Sequence, residues 1–199
     1  MTADWYLMRA TGIVSLLLLT LVVALGVATS TRLRPRGTPL WVTTTLHRNA
    51  ALLSVVFLVV HVVSAVIDPD AAVQLTAVVI PFTAHWAPFW VGLGAVALDL
   101  VAALVVTSLV RRRLPYRLWR RLHWAAYAAW PLALAHGLGA GSDRATGWGR
   151  TVDVLCVSAV GAALAWRVLA LEPAEPPSAQ ARSQARSRAR EAARDRLAA

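Results

Sequence analysis

Between Leu46 and His61 the chain reads LHRNAALLSVVFLVVH. From Ala50 onward no charged residue appears until Asp68. A run of that length cannot be the buried strand of a soluble sheet. It predicts a membrane-spanning helix over 42–67, since about 20 apolar residues cross the hydrocarbon core of a bilayer. Asp68-Pro69-Asp70 closes the run. Two histidines, His47 and His61, lie inside it, 14 residues apart.

Similar runs flank this one. They predict spans over 6–30, 89–110, 118–139 and 152–171. Between the second and third spans, 71–88 is apolar but interrupted by Gln74, Pro81, His85 and Pro88. Reading it as a span leaves almost no turn before Phe89, so an interfacial or partly re-entrant segment is expected. Hydrophobic residues make up 58% of the 199, charged residues 15%, and mean hydropathy is +0.58. A water-soluble enzyme and a disordered chain are both excluded on that composition. The single cysteine, Cys156, excludes an internal disulfide and a Cys-rich zinc site. The fold class expected is an all-α integral membrane helical bundle of about five transmembrane helices over residues 1–171. An Arg/Ala-rich cytoplasmic tail is expected over 172–199.

The basic residues are all arginine, and the net charge is +10. With five spans, every arginine except Arg9, Arg144 and Arg150 falls on one side. The positive-inside rule makes that side cytoplasmic, with the N-terminus outside and the C-terminus inside. The net charge is then topology rather than a nucleic-acid footprint. A signal peptide is the rival for the first span. Asp4 before it and Arg32, Arg34 and Arg36 after it favour a retained helix. The localisation expected is the plasma membrane, multi-pass. In the tail, Arg182, Arg186, Arg190 and Arg194 recur every four residues, so a helix would align them toward anionic lipid.

Four histidines sit in predicted spans, in two pairs. His47 and His61 share the second, and His123 and His136 share the fourth, 13 apart. Ionisable groups at membrane depth are costly and mark function. Fourteen residues rise about 21 Å and thirteen about 20 Å. Both spans run in the same direction, so His47 lies level with His123 and His61 with His136. Each cross-helix pair could clamp one planar macrocycle, whereas a zinc site needs its ligands around one point. Fourteen residues return to within about 40° of the same helix face, but thirteen miss it by about 140°. Either Trp130-Pro131 distorts the helix and corrects the aim, or the two sites open to different sides.

These residues carry a resemblance. The four-histidine pattern, with LHRNAALLSVVFLVVH, WVGLGAVALDL (90–100) and RLWRRLHWAAYAAWPLALAHGLGAGSD (117–143), resembles the ferric reductase-like transmembrane domain. That family includes ferric reductases, the NADPH oxidase membrane domain and the haem subunit of periplasmic methionine sulfoxide reductase. The resemblance covers roughly Trp5 to Leu171. It implies two haem b groups, with His47 and His123 as axial ligands of an inner one and His61 and His136 of an outer one. It implies a transmembrane electron-transfer protein, an oxidoreductase component passing electrons from a cytoplasmic donor to an outer-face acceptor protein or ferric ion. Family members usually have six helices, and the first is expected to be missing here. No G-x-G-x-x-G loop opens a soluble helix, so no bound flavin or NAD(P) is expected. A separate donor, a flavin reductase or quinol, is then required. The alternatives are a haem-bearing subunit of a two-component periplasmic reductase and a non-redox scaffold or transporter.

Further candidates surround the histidines. Arg48, next to His47, could pair with a haem propionate, as could Arg117, Arg120 and Arg121. Arg9 could serve an outer propionate or snorkel to the interface. Asp99 lies mid-span in the third helix, where it could tune a haem potential, relay a proton or hydrogen-bond a neighbouring helix, and packing or a polar pair is favoured. Gly92 and Gly94 are expected to allow close helix approach, His85 to be a solvated interfacial residue, and Cys156 to be a packing residue.

Overall fold

In the computed structural model the described residues are 3–31, 39–69, 71 and 73–169. Residues Met1–Arg167 form one compact unit and Val168–Ala199 a second, of which only Val168 and Leu169 are described. The expectations for the tail arginines and for Arg32, Arg34 and Arg36 fall outside the described residues. All regular structure among the described residues is helical: α1 (Ala3–Ser30), α2 (Leu40–Ile67), α3 (Leu75–Val79), α4 (Pro88–Leu109), α5 (Tyr116–His123), α6 (Ala126–Ala140) and α7 (Gly147–Leu169). Short 3-10 turns cover Arg111–Arg113 and Ser142–Ala145.

Four of these helices, α1, α2, α4 and α7, are long and apolar enough to cross a membrane. The expected span over 118–139 is instead two helices. α5 places Arg117, Arg120 and Arg121 within eight residues, which keeps it out of hydrocarbon. α6 rises only about 22 Å over its 15 residues, against a core of about 30 Å. The break at Trp124–Ala125 contains neither glycine nor proline, and Pro131 sits within α6 without ending it. Residues 71–88 form no membrane-length helix. They hold α3 and a turn with left-handed backbone at Phe82 (φ 68°) and Ala87 (φ 42°), and Pro88 opens α4 where its missing N–H costs nothing.

α1 packs along α2, α4 along α6, and α1 also touches α6. At one end of the bundle, called here the first end, α1 begins beside the α6–α7 connection through the Arg9–Asp143 pair. At the second end Arg167 of α7 donates to Ser30 of α1 and to Tyr127 of α6, both at 2.9 Å. The surface is apolar: Leu52, Val56, Leu109, Val154 and Leu155 are all exposed. The interior is built instead from small and hydroxylated residues, among them Thr11, Ser15, Ser54, Ala95 and Ala97. That is the pattern of a chain solvated by lipid, where close helix packing rather than apolar burial holds the bundle. The hydroxyls of Thr11, Thr20, Ser54 and Ser64 donate to carbonyls one turn earlier. At the centre Trp130, 9% exposed, donates its indole N–H to Thr20 Oγ1 at 2.8 Å and packs with Val23, Cys156 and Val160.

Candidate functional site: two histidine pairs

The antiparallel run of α1 and α2 sets the first element of each site. His61, near the end of α2, donates from Nδ1 to the carbonyl of Met8 at 2.8 Å. His47, near its start, donates from Nδ1 to the carbonyl of Val22 at 3.0 Å. His136, on α6, donates from Nδ1 to the carbonyl of Trp90 on α4 at 2.9 Å. A carbonyl only accepts, so each of these Nδ1 atoms carries its proton and each Nε2 keeps its lone pair. His123 ends α5, and its Nδ1 is buried with no partner among the described residues. Its ring stacks on Trp119 at 4.9 Å, and the Arg111 guanidinium lies 4.8 Å from the Trp119 ring centre.

The four rings meet as the sequence pairs them. His47 and His123 have centroids 6.3 Å apart at the second end, and His61 and His136 also 6.3 Å apart at the first. Two imidazoles on opposite sides of one metal, with bonds of about 2.0–2.1 Å and each nitrogen about 1.1 Å from its ring centre, stand about 6.2–6.4 Å apart. Both pairs therefore have the ring separation that a metal between two imidazoles requires. Among the described residues no cluster of three or more His, Cys, Asp or Glu could cage a bare ion. A donor set of two suits a metal whose remaining ligands come with it, as haem iron's do.

The first-end pair borders a cavity of about 620 Å³, within the range of cofactor pockets. Met8, Gly12, Val78, Trp86, Ala133 and Trp148 contribute to its wall. Ala71, Val73, Ala77, Val78 and Trp86 line part of it, which gives the stretch between α2 and α4 a place in the site. Arg9 and Asp143 stand on its rim as a two-pronged ion pair, Nε to Oδ2 at 2.7 Å, with the guanidinium 3.9 Å from the Trp5 ring centre.

The thirteen-residue spacing of His123 and His136 is resolved at the α5–α6 break rather than at Pro131. Trp124, Ala125, Tyr127 and Ala128 each bond to a carbonyl three residues back. Residues so bonded turn about 120° instead of about 100°, which overwinds the chain in the sense the spacing needs. Both sites then open toward α2.

Other expected residues fall elsewhere. Arg48 is exposed, with no side-chain hydrogen bond or ion pair described for it. Arg117, Arg120 and Arg121 are exposed around a depression of about 490 Å³ with Tyr116 and Trp124. Asp99 is exposed on α4 and makes no polar pair with a neighbouring helix among the described residues. His85 is exposed and pairs with the side-chain amide of Gln74, while Cys156 is buried in the packing core. Gly92 faces the Phe82 ring, and Gly94 faces the imidazole of His136 rather than a helix backbone. The sequence reading missed Asp143 as a site residue, and also the carbonyls of Met8, Val22 and Trp90. A signal for two of these was present: Gly12 and Gly26 repeat the 14-residue spacing of His47 and His61 one helix earlier.

The family of ferric reductase like transmembrane components matches residues 11–134, more than half of the chain, ending two residues before His136. No curated protein and no solved structure matches significantly.

Proposed function

The chain belongs to the ferric reductase-like transmembrane components, and from that premise we propose that it is a di-haem b electron-transfer protein. Membership supports a membrane redox role in general. The observation that carries the finer reading is the pair of 6.3 Å histidine juxtapositions at two depths, one per end of the bundle. His47 and His123 would hold one haem and His61 and His136 the other. Bound there, such groups would supply one-electron carriers, and two histidines held at each iron would favour electron transfer over oxygen binding.

The chain's own residues define the rest of the task. The carbonyls of Met8, Val22 and Trp90 accept from Nδ1 of three imidazoles, which would leave each Nε2 available to a metal. Trp86 and Val78 line the first-end cavity beside His61 and His136. Arg9 and Asp143 put a compensated ion pair at its rim. In the orientation set by the arginines, the second end is cytoplasmic and the first faces outward. Electrons would enter at the His47–His123 end from a separate donor, a flavin reductase or quinol. They would leave at the His61–His136 end to an acceptor protein or ferric ion. The plasma membrane is the proposed location, and Arg48 is a candidate contact for a propionate at the entry side.

The test is haem stoichiometry. Protein purified in detergent from haem-replete cells is expected to give two b haems per chain by pyridine haemochrome. His61→Ala and His136→Ala should lose the same one, and His47→Ala and His123→Ala the other. No haem in the unmodified protein would sink this reading in favour of a non-redox scaffold or transporter.

A further inference from the structure

Three of the four imidazoles are held by one repeated device. The carbonyl that accepts His61 is Met8, and Gly12 follows four residues later. For His47 the residues are Val22 and Gly26, and for His136 they are Trp90 and Gly94. The spacing has a physical reason. In an α-helix the carbonyl of residue i lies beneath residue i+4, and the Cβ of i+4 leans back over it toward the N-terminus. Glycine at i+4 uncovers that carbonyl, so its second lone pair is open to a ring from another helix. A Cβ placed at Gly12 would stand 2.9 Å from Cε1 of His61, and one at Gly94 would stand 2.6 Å from Nδ1 of His136. At Gly26 it would stand 3.4 Å from Cε1 of His47, a close but ordinary contact. Both glycine sites on α1 engage at once because the two carbonyl–glycine units are 14 residues apart, as are the two histidines opposite.

His123 has no such unit. Fourteen residues beyond Trp90 and Gly94, α4 offers Leu104 and Ser108. The residue that would need to be glycine carries a side chain, and the Leu104 carbonyl already accepts the Thr107 hydroxyl at 3.2 Å.

We propose that Gly12, Gly26 and Gly94 are positioning residues. They admit three imidazoles to helix carbonyls and so fix them as ligands with Nε2 free, while His123 is left without this support. The inference rests on the di-haem reading for its redox consequence and not for its geometry. A ligand imidazole that donates from Nδ1 is the more basic one, and greater basicity favours oxidised iron. The His61–His136 site has two supported ligands and the His47–His123 site one. The latter is therefore expected to have the higher midpoint potential and to lose its cofactor first.

Two measurements test this. The first is ¹⁵N-histidine NMR of the haem-free protein in detergent, with assignment by single His→Gln variants. His47, His61 and His136 are expected as Nδ1–H tautomers with slowly exchanging protons, and His123 is expected without a single tautomer fixed by a carbonyl. Nε2–H tautomers at the three supported positions would overturn the proposal whether or not the protein binds haem. The second is haem content, electron paramagnetic resonance and redox titration of Gly12→Ala, Gly94→Ala and Gly26→Ala. Gly161→Ala serves as control, since a Cβ there meets nothing within 4 Å. Gly12→Ala and Gly94→Ala are expected to lose, or shift the low-spin signal of, the same haem that His61→Ala loses. Gly26→Ala should keep two haems and shift only the other. Wild-type haem content and potentials in both Gly12→Ala and Gly94→Ala would overturn it. If those two variants do not fold, the milder Gly26→Ala and the tautomer assignment decide. A haem-free wild type would count against the di-haem reading and leave the tautomer result to judge the glycines.

Discussion

Replacing Asp143 by Asn removes one charge from the Arg9–Asp143 pair and keeps its size. The two side chains are 23% and 13% exposed, and the pair joins residues 134 positions apart, at the start of α1 and after α6. At about 4 Å and an effective dielectric of about 20, the bare attraction is about 4 kcal/mol. Desolvation of both ions and the remaining exposure cut the net value to about 1–3 kcal/mol. Arg9 keeps its seat over Trp5 in the variant, which limits the loss. A double-mutant cycle isolates the pair: Asp143→Asn, Arg9→Gln and the double variant. Each is unfolded by SDS titration in bicelles and followed by tryptophan fluorescence. The expected coupling is about 1–3 kcal/mol, and it should persist in moderate salt because the pair is mostly shielded. A coupling below about 0.3 kcal/mol would refute the claim that this contact ties α1 to the α6–α7 connection. Asp143→Asn also leaves the Arg9 charge uncompensated beside the first-end cavity. A haem bound there should rise in midpoint potential, and a fall would contradict the electrostatic argument.

Trp130→Phe removes the indole donation to Thr20 and should cost about 0.6 kcal/mol for the bond, with about 1.7 as its ceiling, plus a cavity term. Thr20→Val in the Trp130→Phe background should then add little, measured by the same SDS titration. Gly161→Ala meets open space in mid-α7 and should stabilise by up to about 1 kcal/mol through helix propensity alone. Gly139→Ala drives a methyl into the Trp90 ring, whose carbonyl seats His136, so it should destabilise and disturb the first-end haem's absorption spectrum. His85→Ala, at an exposed side chain paired only with Gln74, should leave haem content unchanged by pyridine haemochrome.

The spans α1, α2, α4 and α7 were legible because lipid imposes a length and a polarity that a single sequence displays directly. The pairing of His47 with His123 and His61 with His136 was legible for the same reason: depth follows from counting residues along helices of known rise. What the count could not supply was lateral detail. The α5–α6 break carries no glycine or proline, so the 13-residue spacing looked like a misaimed helix until its i→i+3 bonds were seen. The Arg9–Asp143 pair is a contact between distant segments, and neither residue alone names the other. Asp99 looked like a polar glue residue because an acid in mid-helix usually faces inward, yet here it is exposed. The glycines were visible as letters, but their purpose depends on which helix lies opposite.

α1 with α2, and α4 with α6, form two tightly packed couples, and each histidine pair takes one ring from α2 and its other from the later half, His123 from α5 and His136 from α6. During synthesis the first couple is complete before α6 exists, holding two imidazoles already seated on carbonyls of α1. The later half brings the opposing rings last. A cofactor held by both rings would act as a rivet between halves made at different times. Its capture then reports that the late half has docked in the right register. Chains that fail to dock would remain open along that seam.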